Sequence, residues 1–184
     1  IGGAVWGVST FVPAQFILGN ANSTNKVTLI SDLDLNGGSR TINVGDGSAD
    51  VDAEISGVIS GLTTSKLTKK GAGILLLTNA NTHEGGTAIA DSQNVDSVLR
   101  ITNSAALGIG NLTIGSGGNY DQSRLEVSGG LTITNTITGF ASRNNDAPNI
   151  VSLDGHNTIS GNISSGGGGN RRTFQSDAGL LPLP

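Results

Sequence analysis

The chain has 184 residues and a formal net charge of −4, and it contains 29 Gly, one Trp, one Tyr and no Cys. Its length suits one domain, and the lack of cysteine excludes a disulfide-stabilised scaffold. Only 13% of the residues are charged, and Glu and Lys are scarce, which excludes a helical bundle. No apolar run is long enough to predict a transmembrane helix, and the mild acidity argues against nucleic acid as a partner.

The N-terminal segment, residues 1–26, begins with the most apolar stretch of the chain and contains Trp6, Phe11 and Phe16. Bulky aromatic side chains can cover the open end of a β structure, and they equally fit an ordinary first strand pair. We therefore predict that residues 1–26 form an N-terminal cap or a first rung, and that residues 27–184 form the remaining rungs.

From residue 27 onward, short aliphatic runs alternate with polar positions, as Leu99 and Ile101 alternate with Arg100 and Thr102. This alternation predicts strands with one buried face and one solvated face. Since only 3% of the residues are aromatic, the predicted core consists of small aliphatic side chains in repeated layers. One continuous interior is expected to contain Leu75, Leu77, Ile89, Leu99, Ile101, Leu112, Ile114, Leu125, Val127, Leu131 and Ile133.

The spacing of the predicted strands fits a sandwich, a barrel or a coil of parallel strands. Two features favour the coil. Clear two-residue hairpin turns are scarce, and Asn recurs after the aliphatic pairs, where amides can stack at successive corners. These asparagines are Asn36, Asn79, Asn103 and Asn135. The sequence therefore predicts an all-β solenoid.

Residues 66–89 read KLTKKGAGILLLTNANTHEGGTAI and resemble the autotransporter-associated β-strand repeat, also called the passenger-associated transport repeat. The matching positions are Leu67, Thr68, Lys69, Gly71, Gly73, Leu75, Leu77, Asn81, Gly85, Gly86, Thr87 and Ile89. Asn79 stands where the repeat usually has Gly, and His83 where it usually has Tyr. Looser similarity extends over residues 36–179.

The resemblance implies a right-handed parallel β-helix that is a segment of a longer, exported bacterial protein, such as an autotransporter passenger. The repeat is thought to aid folding and export, and it carries no catalytic residues to transfer. Independently of the family, Lys69 and Lys70 are expected to point into solvent. Four glycines suit tight corners with positive φ between rungs. They are Gly71, Gly73, Gly85 and Gly86.

Asp50, Asp52 and Glu54 are candidate calcium ligands, because their carboxylates would share one face of a predicted strand. The glycine-aspartate nonapeptide that binds calcium in other solenoids is absent. Solvated carboxylates are the commoner interpretation of such a pattern, so these three residues are weak candidates. No metal and no cofactor are expected.

Catalysis by a β-helix polysaccharide enzyme would need a dense cluster of acids and bases in one groove. Asp32 and Asp34 form a second carboxylate pair, and Arg40 is the nearest basic residue, but no dense cluster exists. His83 and His156 lack a second ligand at metal-binding spacing. His83 is instead expected to cover a turn, and no catalytic residue is predicted.

Two further motifs admit a binding role. Thr132, Thr134, Thr136 and Thr138 would place four hydroxyl groups on one side of a single strand, where ice or sugar can bind, although exposed strand threonines are common. The glycine-rich residues 166–170 resemble a phosphate loop but lack its residue order.

These observations predict a non-enzymatic, extracellular β-helix that acts as a rod, spacer or fibre subunit of a bacterial surface or secreted protein. An adhesin that binds a glycan or host partner is the main alternative, and a polysaccharide-active enzyme is the other. An adhesin would need exposed aromatic residues, for which Tyr120, Phe140 and Phe174 are the candidates outside the first rungs. Self-association through open β-helix ends is also expected, because the closing apolar residues offer no cap.

Overall fold

The alternating aliphatic positions form short parallel strands that coil around one interior. The computed structural model describes residues 3–8, 10–91, 95–115, 122–140, 146–164 and 171–184. Each turn of the chain passes three faces, and strands at the same position in successive turns pair with one another. The architecture is a parallel β-solenoid, which confirms the predicted fold class.

The strands are two to five residues long. The first face contains β1 (Ala4–Val5), β4 (Leu33–Asp34), β7 (Ile59–Ser60), β14 (Thr132–Ile133) and β17 (Thr158–Ile159). The second face contains β2 (Phe16–Leu18), β5 (Arg40–Val44), β8 (Leu67–Lys70), β10 (Thr87–Ile89), β12 (Leu112–Ile114) and β15 (Ile137–Phe140). The third face contains β3 (Val27–Leu29), β6 (Ala53–Ile55), β9 (Ile74–Leu77), β11 (Val98–Ile101), β13 (Arg124–Ser128), β16 (Ile150–Asp154) and β18 (Phe174–Ser176).

Coils are counted by the strands that they contain. Coil 1 contains β1 to β3, coil 2 contains β4 to β6, and coil 3 contains β7 to β9. Coil 4 contains β10 and β11, coil 5 contains β12 and β13, coil 6 contains β14 to β16, and coil 7 contains β17 and β18. Because the third face has one strand in each of the seven coils, six turns separate β3 from β18.

One column of Cα partners runs along the whole third face. It begins at Thr28, which pairs with Glu54, and it ends at Gln175. The residues between them are Leu76, Arg100, Glu126 and Val151. Side chains at paired positions of parallel strands point the same way, so the column stacks outward-facing side chains from coil 1 to coil 7.

The predicted interior is confirmed. All eleven residues named above are buried, and they belong to one hydrophobic cluster that extends from Trp6 in coil 1 to Ile159 in coil 7. Burial of aliphatic side chains contributes about 25 cal/mol per Å² removed from water, so this column of layers is the main source of stability.

Residues 4–5 and 16–18 pair with coil 2, so the structure places the described part of the N-terminal segment in the first coil. Trp6 is fully buried, and its ring contacts Phe11 and Phe16 edge to face. The Trp6 Nε1 atom donates a hydrogen bond of 2.8 Å to the carbonyl of Pro13. The guanidinium of Arg40 in coil 2 lies 5.6 Å from the centre of the Trp6 ring.

The corner glycines of the repeat have two different roles. Gly71 and Gly86 have positive φ, as expected, with values of 83° and 85°. Gly73 and Gly85 do not, so for them the prediction of positive φ is wrong. These two positions need glycine because a Cβ would lie 2.3 Å from the Gly45 carbonyl oxygen and 2.6 Å from the Ser65 carbonyl carbon of the preceding coil, respectively.

Residues after β18 run beside coil 7. Leu180 forms a parallel bridge with His156, and the carbonyl of Pro182 accepts a hydrogen bond of 3.1 Å from the Ile159 amide. Throughout the described ranges, the chain contains no helix with the length and apolar character needed to cross a membrane. Self-association through the outermost coils stays a prediction.

Candidate functional site

The first face is interrupted between β7 and β14, and the interruption forms a groove. In coils 4 and 5, residues 78–86 and 102–111 form turns and bends at the position where other coils have a strand. Ala106 and Leu107 turn inward and are fully buried, which leaves a depression above them. The depression has a volume of about 450 Å³. It is lined by Asn81, Ser104, Ala105, Gly108, Ile109, Asn111, Thr132, Thr134, Asn135 and Thr136.

A second cleft of about 390 Å³ continues along the same face toward coil 2. It is lined by Asp34, Ser60, Gly61, Leu62, Thr82, Glu84 and Ile109. Ile109 borders both clefts, and its side chain is 68% exposed. We call the two clefts together the first-face groove; it extends from Asp34 in coil 2 to Thr136 in coil 6.

Asn81 supplies the hydrogen bonds that a strand would otherwise make at the centre of the groove. Its Oδ1 atom accepts a hydrogen bond of 2.7 Å from the Ile59 amide in coil 3. Its Nδ2 atom donates one of 2.7 Å to the Ala106 carbonyl in coil 5. One buried amide thus connects three successive coils and satisfies backbone groups that lack a regular ladder partner.

The wall of the groove at coil 6 is held in a similar way. The Asn135 Nδ2 atom donates to the carbonyls of Gly108 and Gly110 at 2.9 and 2.7 Å. The Thr132 amide donates to Ser104 Oγ at 3.0 Å. These hydrogen bonds hold the groove wall at coil 6 against the neighbouring coil.

The predicted asparagine ladder is wrong for Asn79, Asn103 and Asn135, because their side chains bond to backbone groups. Asn79 donates to the Ser56 carbonyl at 3.0 Å, and Asn103 accepts from the Ala105 amide at 2.9 Å. Asn36 occupies a corner with a φ of 50°. Asn79 and Asn103 each follow by two residues the paired positions Leu77 and Ile101, but their side chains bond to different backbone groups and not to each other.

His83 lies beneath the floor of the groove and is fully buried. Its Nε2 atom lies 2.9 Å from Thr87 Oγ1, and its carbonyl accepts a hydrogen bond from the Ile109 amide. Burial lowers the pKa of His83 to about 4, and the backbone of Ile59 only partly opposes this effect. The imidazole is therefore neutral at physiological pH, and it acts as a packing residue below the turn.

The calcium candidates do not share a strand face, because β6 begins only at Ala53. Asp52 is buried and accepts hydrogen bonds from the Gly47 and Ile74 amides at 2.7 and 2.8 Å. Asp50 is exposed and pairs with Arg100 at 2.8 Å, while Glu54 pairs with Lys26. The described residues contain no group of three or more potential metal-ligating side chains.

Asp32, Asp34 and Arg40 also have separate structural partners. Asp32 accepts from the Val58 amide and Asp34 from the Asn36 amide, each at 2.8 Å. Arg40 donates to the carbonyls of Leu35 and Trp6 at 3.0 and 3.2 Å. The geometry therefore provides no paired acid and base at this position.

Lys69 is buried rather than solvated, so the prediction for it is wrong, whereas Lys70 is exposed as predicted. Lys69 shares the inward parity of Leu67 on β8. Its Nζ atom donates to the Gly71 carbonyl at 2.6 Å and to Ser97 Oγ at 3.2 Å. Burial lowers its pKa to about 7, and Asp91, Asp52 and Asp96 oppose this only in part.

An ion-pair network covers the third face between coils 4 and 5. Arg100 Nε donates to Glu126 Oε2 at 2.7 Å, and Arg124 Nε donates to Glu126 Oε1 at 2.9 Å. Arg124 also pairs with Asp96. Burial alone would lower the pKa of Arg100, but hydrogen bonds to Glu126 and Asp50 raise it overall. The network is a structural clamp between coils.

The threonine array turns a corner. Thr132 lies on β14 and Thr138 on β15, while Thr134 and Thr136 flank the buried Asn135 between them. The prediction of four hydroxyl groups on one strand is therefore wrong. Three of them, Thr132, Thr134 and Thr136, instead line the groove.

The remaining candidates add no site. Phe140 and Phe174 pack edge to face with ring centres 6.0 Å apart, and Phe140 is nearly buried. His156 is exposed on coil 7. Tyr120 and residues 166–170 lie outside the described part of the chain.

Sequence reasoning missed the groove and the role of Asn81. For the role of Asn81 a signal was present, since Asn81 is one of the matched positions of the repeat and lies in a run where apolar and polar residues do not alternate. A side-chain amide in a strandless segment is a natural partner for backbone groups that would otherwise be unpaired.

Comparisons with known proteins agree with the identification of the repeat. The family model of the passenger-associated transport repeat matches residues 67–91, so the chain contains this repeat. The chain is 34% identical over 126 residues to the adhesin BmaC autotransporter of Brucella suis biovar 1 (strain 1330). That alignment covers 67% of this chain and 3% of the relative. No solved structure matches the chain significantly.

Proposed function

We propose that this chain is a solenoid segment of an exported bacterial surface protein, in which it acts as a non-enzymatic stalk or spacer. The observation that carries the proposal is the stack of seven coils with a continuous aliphatic interior, in a chain that contains a passenger-associated transport repeat. The similarity to an autotransporter supports a location on the outer cell surface or outside the cell.

The inter-coil contacts support a mechanical role. Each coil adds about 4.8 Å along the axis, and side chains such as Asn81, Asp52 and Glu126 connect neighbouring coils at the corners and faces. Among the described residues, most charged side chains form ion pairs with one another or hydrogen bonds with backbone groups. Such pairing stabilises a rod and requires no substrate.

Coil excision tests the spacer role. Val27 is the Cα partner of Ala53, so deletion of residues 27–52 removes one turn and keeps the register of the remaining coils. We expect the parent protein without these residues to be exported and to unfold cooperatively. Deletion of residues 27–38, about half a turn, is the matched control and should abolish folding. Equal loss of export in both variants would contradict the proposal.

Surface labelling tests the location. A Cβ added at Gly129 or Gly130 would meet no atom within 4 Å, so the outer side of this corner is open and an epitope inserted between them should point into solvent. We expect antibody to bind intact cells that express the tagged parent protein, while a cytoplasmic marker stays unlabelled. Labelling that appears only after cell lysis would refute an outer-surface location.

An adhesin is the second candidate function. Two observations favour it: the relative's name describes an adhesin, and the first-face groove is a concave site. Phe140 and Phe174 contribute no exposed aromatic platform, so the groove is the surface on which this candidate depends.

A further inference from the structure

We propose that the first-face groove binds a neutral, linear oligosaccharide that lies along the solenoid axis. This inference rests on the adhesin candidate and names its ligand class and site. The spacer proposal does not depend on it.

The dimensions of the groove favour a chain over a single sugar. The groove extends from Asp34 in coil 2 to Thr136 in coil 6. Four inter-coil steps of about 4.8 Å give a length of about 19 Å. The two clefts, of about 450 and 390 Å³, are each in the size range of small-molecule sites.

The lining of the larger cleft suits a polyhydroxylated ligand. Ser104, Thr132, Thr134 and Thr136 supply hydroxyl groups that can both donate and accept hydrogen bonds. Thr132 and Thr134 are exposed, and so is Asn111, which also lines the cleft. Sugar hydroxyl groups also act as donor and acceptor, so they can pair with each of these groups.

Charge excludes acidic ligands. The larger cleft contains no charged residue, and the smaller one contains two carboxylates, Asp34 and Glu84, and no cation. A uronate or sialylated chain would meet only negative charge there. A neutral chain meets no such penalty and can donate hydroxyl protons to both carboxylates.

Two exposed aliphatic side chains provide the apolar contacts. Ile109 stands where the two clefts meet and is 68% exposed, and Leu62 borders the smaller cleft and is 71% exposed. The C–H faces of sugar rings can pack on such side chains. This arrangement meets the need for apolar contact without aromatic residues, whose scarcity weighed against an adhesin.

Binding is tested with the complete 184-residue chain on an array of neutral tetrasaccharides of glucose, galactose, mannose and N-acetylglucosamine. Matched uronate and sialylated glycans are printed beside them. We expect binding to at least one neutral glycan and none to the acidic ones. Binding confined to acidic glycans, or binding of a protein ligand with no neutral glycan bound, would overturn the proposal, as would no binding at all.

Variants then locate the site. The double variant Thr134→Val and Thr136→Val removes two hydroxyl groups from the groove. It should weaken binding of the best neutral glycan about tenfold, since two hydrogen bonds are lost. Thr41→Val with Thr68→Val, on the outer side of the second face, is the matched control and should leave the affinity unchanged. Equal effects in the two double variants would place the glycan outside the groove. Circular dichroism and urea unfolding confirm that each variant is folded.

Discussion

Lys69 Nζ lies 3.2 Å from Ser97 Oγ, and the two residues belong to successive coils, 28 positions apart in sequence. Both side chains are fully buried. The same ammonium group donates to the Gly71 carbonyl at 2.6 Å. A buried amine thus connects two coils, and its titration couples the stability of the fold to pH.

Replacement of Lys69 by Met should remove a pH dependence of stability. Because burial lowers the folded-state pKa to about 7 from 10.5, the unfolded chain binds more protons between these values, and stability rises with pH. Across that window, wild type should gain up to about 1.4 kcal/mol per pH unit relative to Lys69→Met. Urea midpoints measured near pH 7 and near pH 9.5 check this expectation.

The control for this experiment is Lys70→Met, because Lys70 lies on the same strand and is exposed. It should retain the wild-type dependence on pH. If Lys69→Met retained the same dependence as wild type, the buried ammonium would not be the group that titrates.

Asp52→Ala should destabilise the chain by about 2–4 kcal/mol, because it leaves the partly buried amides of Gly47 and Ile74 without their acceptor. Asp50→Ala should remain within about 0.5 kcal/mol of wild type, since Asp50 is exposed. Urea unfolding of both variants provides the comparison. Similar losses in the two variants would show that the amide contacts of Asp52 carry no particular weight.

Millimolar calcium should not change the melting temperature, because Asp50, Asp52 and Glu54 bond to three different sets of partners. Melting curves recorded with calcium and with a chelator test this. A rise in melting temperature with calcium that disappears in Asp52→Asn would contradict this expectation and show that these residues bind calcium.

Asn81→Ala should lower the free energy of unfolding by about 2–4 kcal/mol, because the Ile59 amide loses its acceptor and the Ala106 carbonyl loses its donor. The Ile59 amide should then exchange its hydrogen with solvent faster. Asn79→Ala is the matched control, as Asn79 is partly exposed and makes one contact with the neighbouring coil, to Ser56. Hydrogen exchange followed residue by residue gives the readout. Unchanged protection of Ile59 in Asn81→Ala would contradict the bridging role.

Gly86→Ala should be more destabilising than Gly129→Ala. Both positions have positive φ, at 85° and 105°, so each alanine carries a backbone strain of about 1–2 kcal/mol. At Gly86 the added Cβ would also lie 2.4 Å from the Asn111 carbonyl oxygen, whereas Gly129 has open space. Thermal unfolding should rank the two variants in this order, and the reverse order would show that contact with the next coil is unimportant.

The sequence predicted the parts of the fold that depend on residue type and alternation alone. Leu99 and Ile101 are buried because period two fixes the side on which a strand residue lies. The same parity places Lys69 inward, whereas its predicted exposure rests on the general preference of lysine for solvent. Asp52 was misjudged for a related reason, because its acceptor role depends on an amide 22 residues away.

The groove was beyond sequence reasoning because it arises from strands that are missing. Residues 102–111 contain aliphatic side chains like those of a strand, yet Ala106 and Leu107 enter the core from a turn. Which side chains line the resulting depression depends on coil 6, where the corner at Asn135 brings Thr134 and Thr136 to the same face. Only the stacking of complete coils determines this arrangement.

The stack itself is tested most directly by distances between spin labels on the third face, which is straightforward because the chain has no cysteine. Thr28 and Gln175 are six register steps apart, and Glu54 and Gln175 are five. Labels at Thr28→Cys with Gln175→Cys should lie about 29 Å apart, and labels at Glu54→Cys with Gln175→Cys about 24 Å apart. The two distances should differ by one strand spacing, and taking this difference reduces the contribution of the label linkers, which is similar in both pairs. Two distances that are equal, or that differ in the opposite sense, would contradict the parallel solenoid.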